Sequence, residues 1–191
     1  TTLATNAIVE DEGQPVGLLV MPPYGLFDPS DVPHRPVAAL SARLEIDGTE
    51  IAGVDADEVR RAADDMVASG VGAFAVSGFA GTVNPAHELA VKGILGEHTG
   101  LSVTCGHELS ETLNFRTRAL TAVLNARIIP RLERFLRQAA EALRQRGIGA
   151  RIMVVKGDGS LMSTEAARAR PVETIMSGPA ASVAGARYLT G

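Results

Sequence analysis

Disulfide chemistry is the first thing this sequence leaves out: its 191 residues hold one cysteine, Cys105. A single thiol in an apolar run points to a reducing, cytoplasmic setting and to a buried, inert side chain rather than a nucleophile. Tryptophan is absent and aromatic residues make up 4% of the chain, so platforms for stacking unpaired bases are few. A formal net charge of −4 supplies no field to gather nucleic acid or an anionic membrane. No apolar run approaches the roughly 20 residues that span a bilayer, and no basic-then-apolar leader opens the chain. An initiating Met is missing too. The chain begins Thr1-Thr2-Leu3-Ala4-Thr5-Asn6, which suggests a piece of something longer. What is present is 46% hydrophobic and 21% charged residues, the composition of a soluble globular protein. A chain of this length can bury roughly 70% of its unfolded surface, enough for one sizeable core or one core and an appended segment.

Periodicity organises the middle of the chain. Val59, Ala62, Ala63, Met66 and Val67 follow the spacing of a one-faced helix over Asp55–Gly70, with Asp55 and Glu58 resembling a capping box and Gly70 a stop. Val71 to Ser77 is a continuous apolar run, the pattern of a strand covered on both faces. Asn84-Pro85 opens a helix to about His98, and Leu101–Cys105 reads as a second buried strand. Strand, helix and strand predict a βαβ unit with a parallel pair. A long helical pattern follows over about Thr112–Arg146, its stripe running from Leu120 through Leu124, Ile128, Leu132 and Leu136 to Leu143. Pro130 inside it predicts a kink. Its outer face carries Arg127, Arg131, Arg134, Arg137, Arg144 and Arg146, either a solvated face or a docking surface for an acidic partner. Arg151–Val155 is a third strand, after which Lys156–Ser160 turns the chain into a short helix capped by Ser163. The last element, about Pro179–Leu189, is rich in small residues that permit close approach of a backbone or ligand. Nearer the start, Val16–Met21 reads as a strand, Pro22 to Pro36 as loop, and the segments around Asp47-Gly48 as a hairpin.

Chemistry-bearing residues are sparse. No His-x-x-x-His pair occurs, and Cys105 stands two residues from His107 with no third ligand near in sequence, so no metal site is predicted. His107-Glu108 follows a buried strand directly, at the carboxyl end where open α/β sheets hold ligands. His107 is either an acid or base working near neutral pH or a surface histidine closing a turn. The Gly157-Asp158-Gly159-Ser160 turn, beside Lys156, offers backbone N–H groups to a phosphate, yet Asp-Gly is equally ordinary turn chemistry. Ser177-Gly178-Pro179 is a helix start by rule, and a ligand loop only with something bound there.

Three stretches together resemble the hydantoinase A/oxoprolinase family. Gly157-Asp158-Gly159-Ser160-Leu161, then Arg170-Pro171-Val172, then Ser177-Gly178-Pro179-Ala180 is similar to that family's Asn/Asp-Gly-Gly-Leu turn, Arg-Pro-Val and Ser-Gly-Pro-Ala. Asn84-Pro85-Ala86-His87-Glu88 and the run Ser102–Glu108 ending in His-Glu resemble its next landmarks, in the same order. Thr1–Ala7 looks like a fourth. The chain departs from the pattern at Thr117-Arg118-Ala119, where the family has Glu-Arg-Thr, at Gly157 where Ser is common, and at Ser160 where a second Gly is common.

The resemblance implies an α/β fold of the ribonuclease-H-like, actin-like ATPase type, a mixed sheet with flanking helices and a β-rich excursion at about 22–53. Residues 1–150 would belong to the first such domain and 151–191 to the start of the second, with the last helix connecting them. It implies an ATP-dependent enzyme, with Mg, that opens hydantoin or 5-oxoproline rings. The family's two Asp-x-Gly-Gly-Thr phosphate loops do not occur here and would lie upstream of Thr1 and beyond Gly191, leaving the piece inactive and self-associating alone. By the same resemblance His107 and Glu108 would be acid/base or substrate-side groups and Arg118 an anion contact. Asp158, Gly159, Ser160, Ser177 and Gly178 would line the cleft beside the nucleotide. The implied partners are the small cyclic amide and a hydantoinase-B-like second subunit or further copies of the chain. Two rivals stand: a subunit of an ATP-dependent ketone carboxylase, and a non-catalytic interaction domain whose basic helix docks a partner.

Overall fold

The computed structural model describes residues 3–9, 13–23, 28 and 32–190. Thr1 and Thr2 of the opening motif, and positions 24–27 and 29–31 of the expected loop, lie outside the described residues. The chain forms two compact units, one of residues 14–127 and one of 1–13 with 128–191. The boundary between these two units falls at Ile128, inside a long helix.

The first unit is built on a four-stranded sheet in the order β2-β1-β5-β6, from β1 (Val16–Met21), β2 (Val37–Ala39), β5 (Ala73–Gly78) and β6 (Val103–Cys105). Every pairing in it is parallel. The expected mixed sheet is therefore corrected: among the described residues, antiparallel pairing occurs in two separate two-stranded ribbons. β1 and β5 are buried along their whole length, because helices cover both faces and neither strand needs a polar side. Leu19, Met21, Phe74 and Val76 point into a core with Val59, Ala63 and Met66 of α2 (Ala56–Ala68) and Val91 and Leu95 of α3 (Ala86–Thr99). Leu18, Val20, Ala73 and Ala75 point the other way, against Phe115, Ala119, Ala122, Val123 and Ala126 at the start of α4 (Phe115–Gln145). Alanines facing alanines let that helix lie close to the sheet. The buried stripe of this first part of α4 is accordingly not the expected Leu120–Leu124 line, whose members are only half-buried.

Local chemistry sets the element ends. Asp55 caps α2, accepting from the N–H groups of Asp57 and Glu58 at 2.8 and 3.2 Å. Glu58 does not complete the expected capping box; its carboxylate takes the Ser41 N–H and hydroxyl instead. Asn84 serves the start of α3 by accepting from Ala86 N–H at 3.1 Å, and Gly100, at φ 69, ends that helix. The hairpin expected around Asp47-Gly48 is present as β3 (Arg43–Leu44) paired antiparallel with β4 (Glu50–Ala52).

The second unit contains α1 (Leu3–Val9), the later turns of α4, and a hairpin of β7 (Met153–Val155) and β8 (Leu161–Ser163). α5 (Thr164–Ala169) and α6 (Ser177–Thr190) follow. Its core gathers Ala4, Ile128, Leu132, Leu136, Val154, Met162 and Ala167. Ser163 caps α5 as expected, accepting from Ala166 N–H. The turn at 157–160 joins two antiparallel strands; the expected strand-to-helix turn is corrected, since β8 intervenes before α5. On α6, residues 181–190 are exposed, Tyr188 by 89% and Leu189 by 82%, so the small residues from Ala181 onward lie at the surface.

Candidate active site

Three elements converge at the carboxyl edge of β5 and β6. α3 delivers Glu88 in its first turn, a 3-10 turn at Gly106–Glu108 delivers His107 straight after β6, and the first turn of α4 delivers Arg118. Glu88 is fully buried. A buried carboxylate is stable only with its oxygens bonded, and here both are. Oε1 accepts from the Gly78 N–H at 2.7 Å, while Oε2 accepts from the His107 backbone N–H at 3.0 Å and faces His107 Nδ1 at 2.6 Å. The approach is close enough to require a glycine. A Cβ on Gly81 would stand 2.2 Å from Glu88 Oε1.

With the carboxylate ionised, this network assigns the ring proton to Nδ1 and leaves the lone pair on Nε2. Nε2 makes no hydrogen bond among the described residues, and the His107 side chain is 17% exposed. A carboxylate fixing one ring nitrogen and leaving the other available is the arrangement that makes an imidazole a directed acid or base.

Arg118 is also fully buried. Its guanidinium donates to the carbonyls of Gly78 at 2.5 Å, Phe79 at 2.9 Å and Thr112. Burial pulls its pKa below the ordinary value, and the charge of Glu88 acts against that fall. Arg118, expected as an anion contact, thus pins the carbonyls at the end of β5, while Glu88 holds the Gly78 N–H. Glu108 is half-exposed and paired with Lys92 at 2.5 Å, its second oxygen accepting from Cys105 N–H. It braces the turn that carries His107.

Glu88, Cys105 and His107 each place a potential metal-ligand atom within 4.8 Å of the others, a grouping the sequence hid because Glu88 lies 19 positions from His107. The donor set fits a cation poorly. The Cys105 thiol is pushed up to about 12, first by burial and then by Glu108 and Glu88, and a thiol must ionise to ligate. Both Glu88 oxygens are already committed. As expected, Cys105 is fully buried.

The nucleotide-side residues proposed from sequence sit in the other unit. In the 157–160 turn, Gly157 N–H donates to Glu173 O, Gly159 N–H to Lys156 O, and Ser160 N–H to Asp158 Oδ1. Lys156 pairs with Glu173 at 2.9 Å. With three N–H groups engaged, the turn offers no ready phosphate cradle. A Cβ on Gly157 would meet Ile175 O at 2.3 Å, so the turn packs hard on the segment leading into α6. Ser177 is buried at the start of α6 and Gly178 half-buried, two residues beyond Met176 at φ 61.

These features define an α/β protein with a covered parallel sheet and a carboxylate-imidazole pair at the carboxyl ends of its strands. Residues 1–99 match the hydantoinase/oxoprolinase N-terminal region and residues 118–191 match hydantoinase/oxoprolinase. The chain belongs to the hydantoinase/oxoprolinase family. It is 27% identical over 207 residues to caprolactamase subunit alpha of Pseudomonas jessenii, covering 95% of this chain and 29% of that one. It is 27% identical over 161 residues to the acetophenone carboxylase gamma subunit of Aromatoleum aromaticum, covering 80% of this chain and 21% of the relative. The solved ATP-dependent caprolactamase from P. jessenii superposes with a TM-score of 0.81 at 26% identity, over 94% of this chain and 29% of its own. Acetone carboxylase in its nucleotide-free structure gives 0.83 at 23% identity, over 99% and 31%, a likeness of fold. The chain thus spans less than a third of the relatives it matches.

Proposed function

We propose that this chain is part of an ATP-dependent enzyme that opens cyclic amides, of hydantoin, 5-oxoproline or lactam type. The observation that carries the reading is the Glu88–His107 pair, with Nε2 left available at the edge of the sheet, in a chain related to caprolactamase. On this reading residues 1–150 belong to one ribonuclease-H-like domain of the actin-like ATPase type and 151–191 begin a second. The setting is cytoplasmic. Asp158, Gly159, Ser160, Ser177 and Gly178 lie beside the nucleotide as lining, since the N–H groups of the turn are engaged internally.

ATP, when bound with Mg, supplies the phosphoryl group that activates the amide. The chain's own residues do the proton work. On an amide so activated, His107 Nε2 would take the proton from the attacking water and return it to the ring nitrogen as the C–N bond breaks, a second water then releasing inorganic phosphate from the acyl group to leave the carboxylate, while Glu88 holds the tautomer and stabilises the imidazolium. Arg118 and Glu108 are positioning residues. A second subunit of hydantoinase-B type, or further copies of this chain, completes the assembly; both curated relatives above are named as subunits.

The fold likeness to acetone carboxylase and the similarity to the acetophenone carboxylase gamma subunit support a second reading, a subunit of an ATP-dependent ketone carboxylase. One assay separates them. The intact protein with ATP is offered a lactam, a hydantoin, or a ketone with bicarbonate, and ring-opened or carboxylated product is quantified. Ring opening is expected, with His107→Gln and Glu88→Gln lowering kcat by roughly two to four orders of magnitude, as loss of an imidazole or its orienting carboxylate does elsewhere. Carboxylation without ring opening overturns the first reading, and unchanged turnover in His107→Gln removes the dyad from either.

A further inference from the structure

From β1 the chain moves outward to β2 on one side, and β5 then takes the place on the other side of β1. The connections leaving the carboxyl ends of β1 and β5 therefore diverge. In open parallel sheets, such a switch point leaves a crevice that receives ligands. A cleft of about 190 Å³ lies there. Pro23, two residues beyond β1, and Phe79, immediately after β5, form its sheet side; Arg43, Leu44, Glu45 and Ile51 of the β3–β4 ribbon form the other.

The walls are fixed. The ribbon is tied to the start of α3 by Asn84 Nδ2 donating to Gly48 O at 2.9 Å and by His87 Nε2 with Glu50 Oε2 at 2.6 Å. Phe79 stands edge-on to Phe115 with ring centres 6.3 Å apart, and its carbonyl is held by Arg118. A site held this way is formed before its ligand arrives.

Size and lining then select the ligand. At about 190 Å³ the cleft is smaller than the roughly 300–1,000 Å³ pockets of drug-sized molecules, so it suits a single small ring and not a nucleotide. Pro23, Leu44, Ile51 and Phe79 are apolar, while Arg43 and Glu45 bring one cation and one carboxylate. A lactam carries its C=O and N–H side by side on one edge and hydrocarbon on the other. A guanidinium donates to the first and a carboxylate accepts from the second.

We propose that this crevice is the subsite for the ring of a small cyclic amide, with Arg43 and Glu45 reading the amide edge and Ile51, Leu44, Pro23 and Phe79 covering the ring. The proposal rests on the cyclic-amide reading above and adds to it where the ring binds. The test uses the intact protein with methyl-labelled Ile and Leu, titrated with ε-caprolactam and 2-pyrrolidinone while ATP-dependent ring opening is assayed in parallel. Saturable shifts at Ile51 and Leu44 are expected. Ile51→Asp and Glu45→Gln, both at exposed positions, should raise the lactam Kd at least tenfold with an unchanged melting midpoint. Ring opening with silent Ile51 and Leu44 methyls, or an unchanged Kd in both variants, overturns the subsite and leaves the reaction class standing. Methyl shifts with no ring opening overturn the reaction class and leave the subsite standing. Neither shifts nor turnover overturns both.

Discussion

Cys105 and Glu88 touch in the structure, and each shows a different limit of sequence reading. The apolar run around Cys105 was enough to predict a buried, unreactive thiol, because burial of a strand residue follows from its neighbours in sequence. Glu88, within Asn84-Pro85-Ala86-His87-Glu88, carries no local sign of its role, because its partners, the Gly78 N–H and the His107 ring, are brought to it only by the βαβ crossover. The Gly78 and Phe79 carbonyls that Arg118 holds are likewise out of reach of sequence reading, since they come from the end of β5, about 40 positions away. Burial also gives Cys105 a pH signature. Its thiol rises from 9.0 to about 12 in the fold, whereas in the unfolded chain it ionises near the ordinary value. Between those two values the unfolded state binds fewer protons, so stability falls as pH rises through the window and the thiol contributes no slope below it. The melting midpoint of the wild type should fall more steeply from pH 9 upward than that of Cys105→Ala. Iodoacetamide at pH 8 should label Cys105 only in denaturant. Parallel alkaline slopes, or fast labelling of the folded protein, would contradict the burial argument.

Among the elements, α4 was the most legible and still the most misread. Its length followed from an unbroken helical pattern, but its buried face changes along the rod. Early on, Ala119, Ala122, Val123 and Ala126 lie on the sheet, and from Ile128 onward Ile128, Leu132 and Leu136 enter a different core. A single stripe drawn through the leucines could not anticipate two partners. Pro130 sits inside this 31-residue span. Lacking an N–H, it cannot serve the carbonyl four residues back, Ala126. That carbonyl instead accepts from Gln14 Nε2 at 2.9 Å, across 112 positions of sequence. The compensation predicts a coupled pair. Gln14→Ala alone should destabilise by about 1–2 kcal/mol, the cost of an unpaired carbonyl. In a Pro130→Ala background the restored helix N–H takes that carbonyl, and Gln14→Ala should cost markedly less. A double-mutant cycle in urea measures the difference; additive effects would show that Gln14 is not replacing the missing bond.

At the scale of the whole molecule, the parallel pairing of β5 with β6 is readable from the strand–helix–strand order and the apolar runs without alternation, whereas the wider sheet, expected to be mixed, is parallel throughout. The strand order was not readable, since β2 has three residues and no periodicity. The change of core along α4 is hidden as well, because no composition shift in the helix marks it. Burial predicts how stability is spread. β1 and β5 are central, buried along their length and bonded on both edges, so their amides open only when the first unit unfolds globally. The β3–β4 ribbon has two strands and exposed Ile51, and is tied by side-chain bonds to the start of α3. Residues 181–190 of α6 are exposed throughout, so their helical bonds are covered only by their own side chains. Hydrogen exchange of the 191-residue chain should therefore be slowest at 16–21 and 73–78, intermediate at 43–52 and fastest at 181–190. Protection at 181–190 matching that of β5 would mean that α6 is covered in solution, by another copy of the chain. A concentration series would then show that protection fading on dilution, whereas the protection of β1 and β5, which comes from their own sheet, would not change.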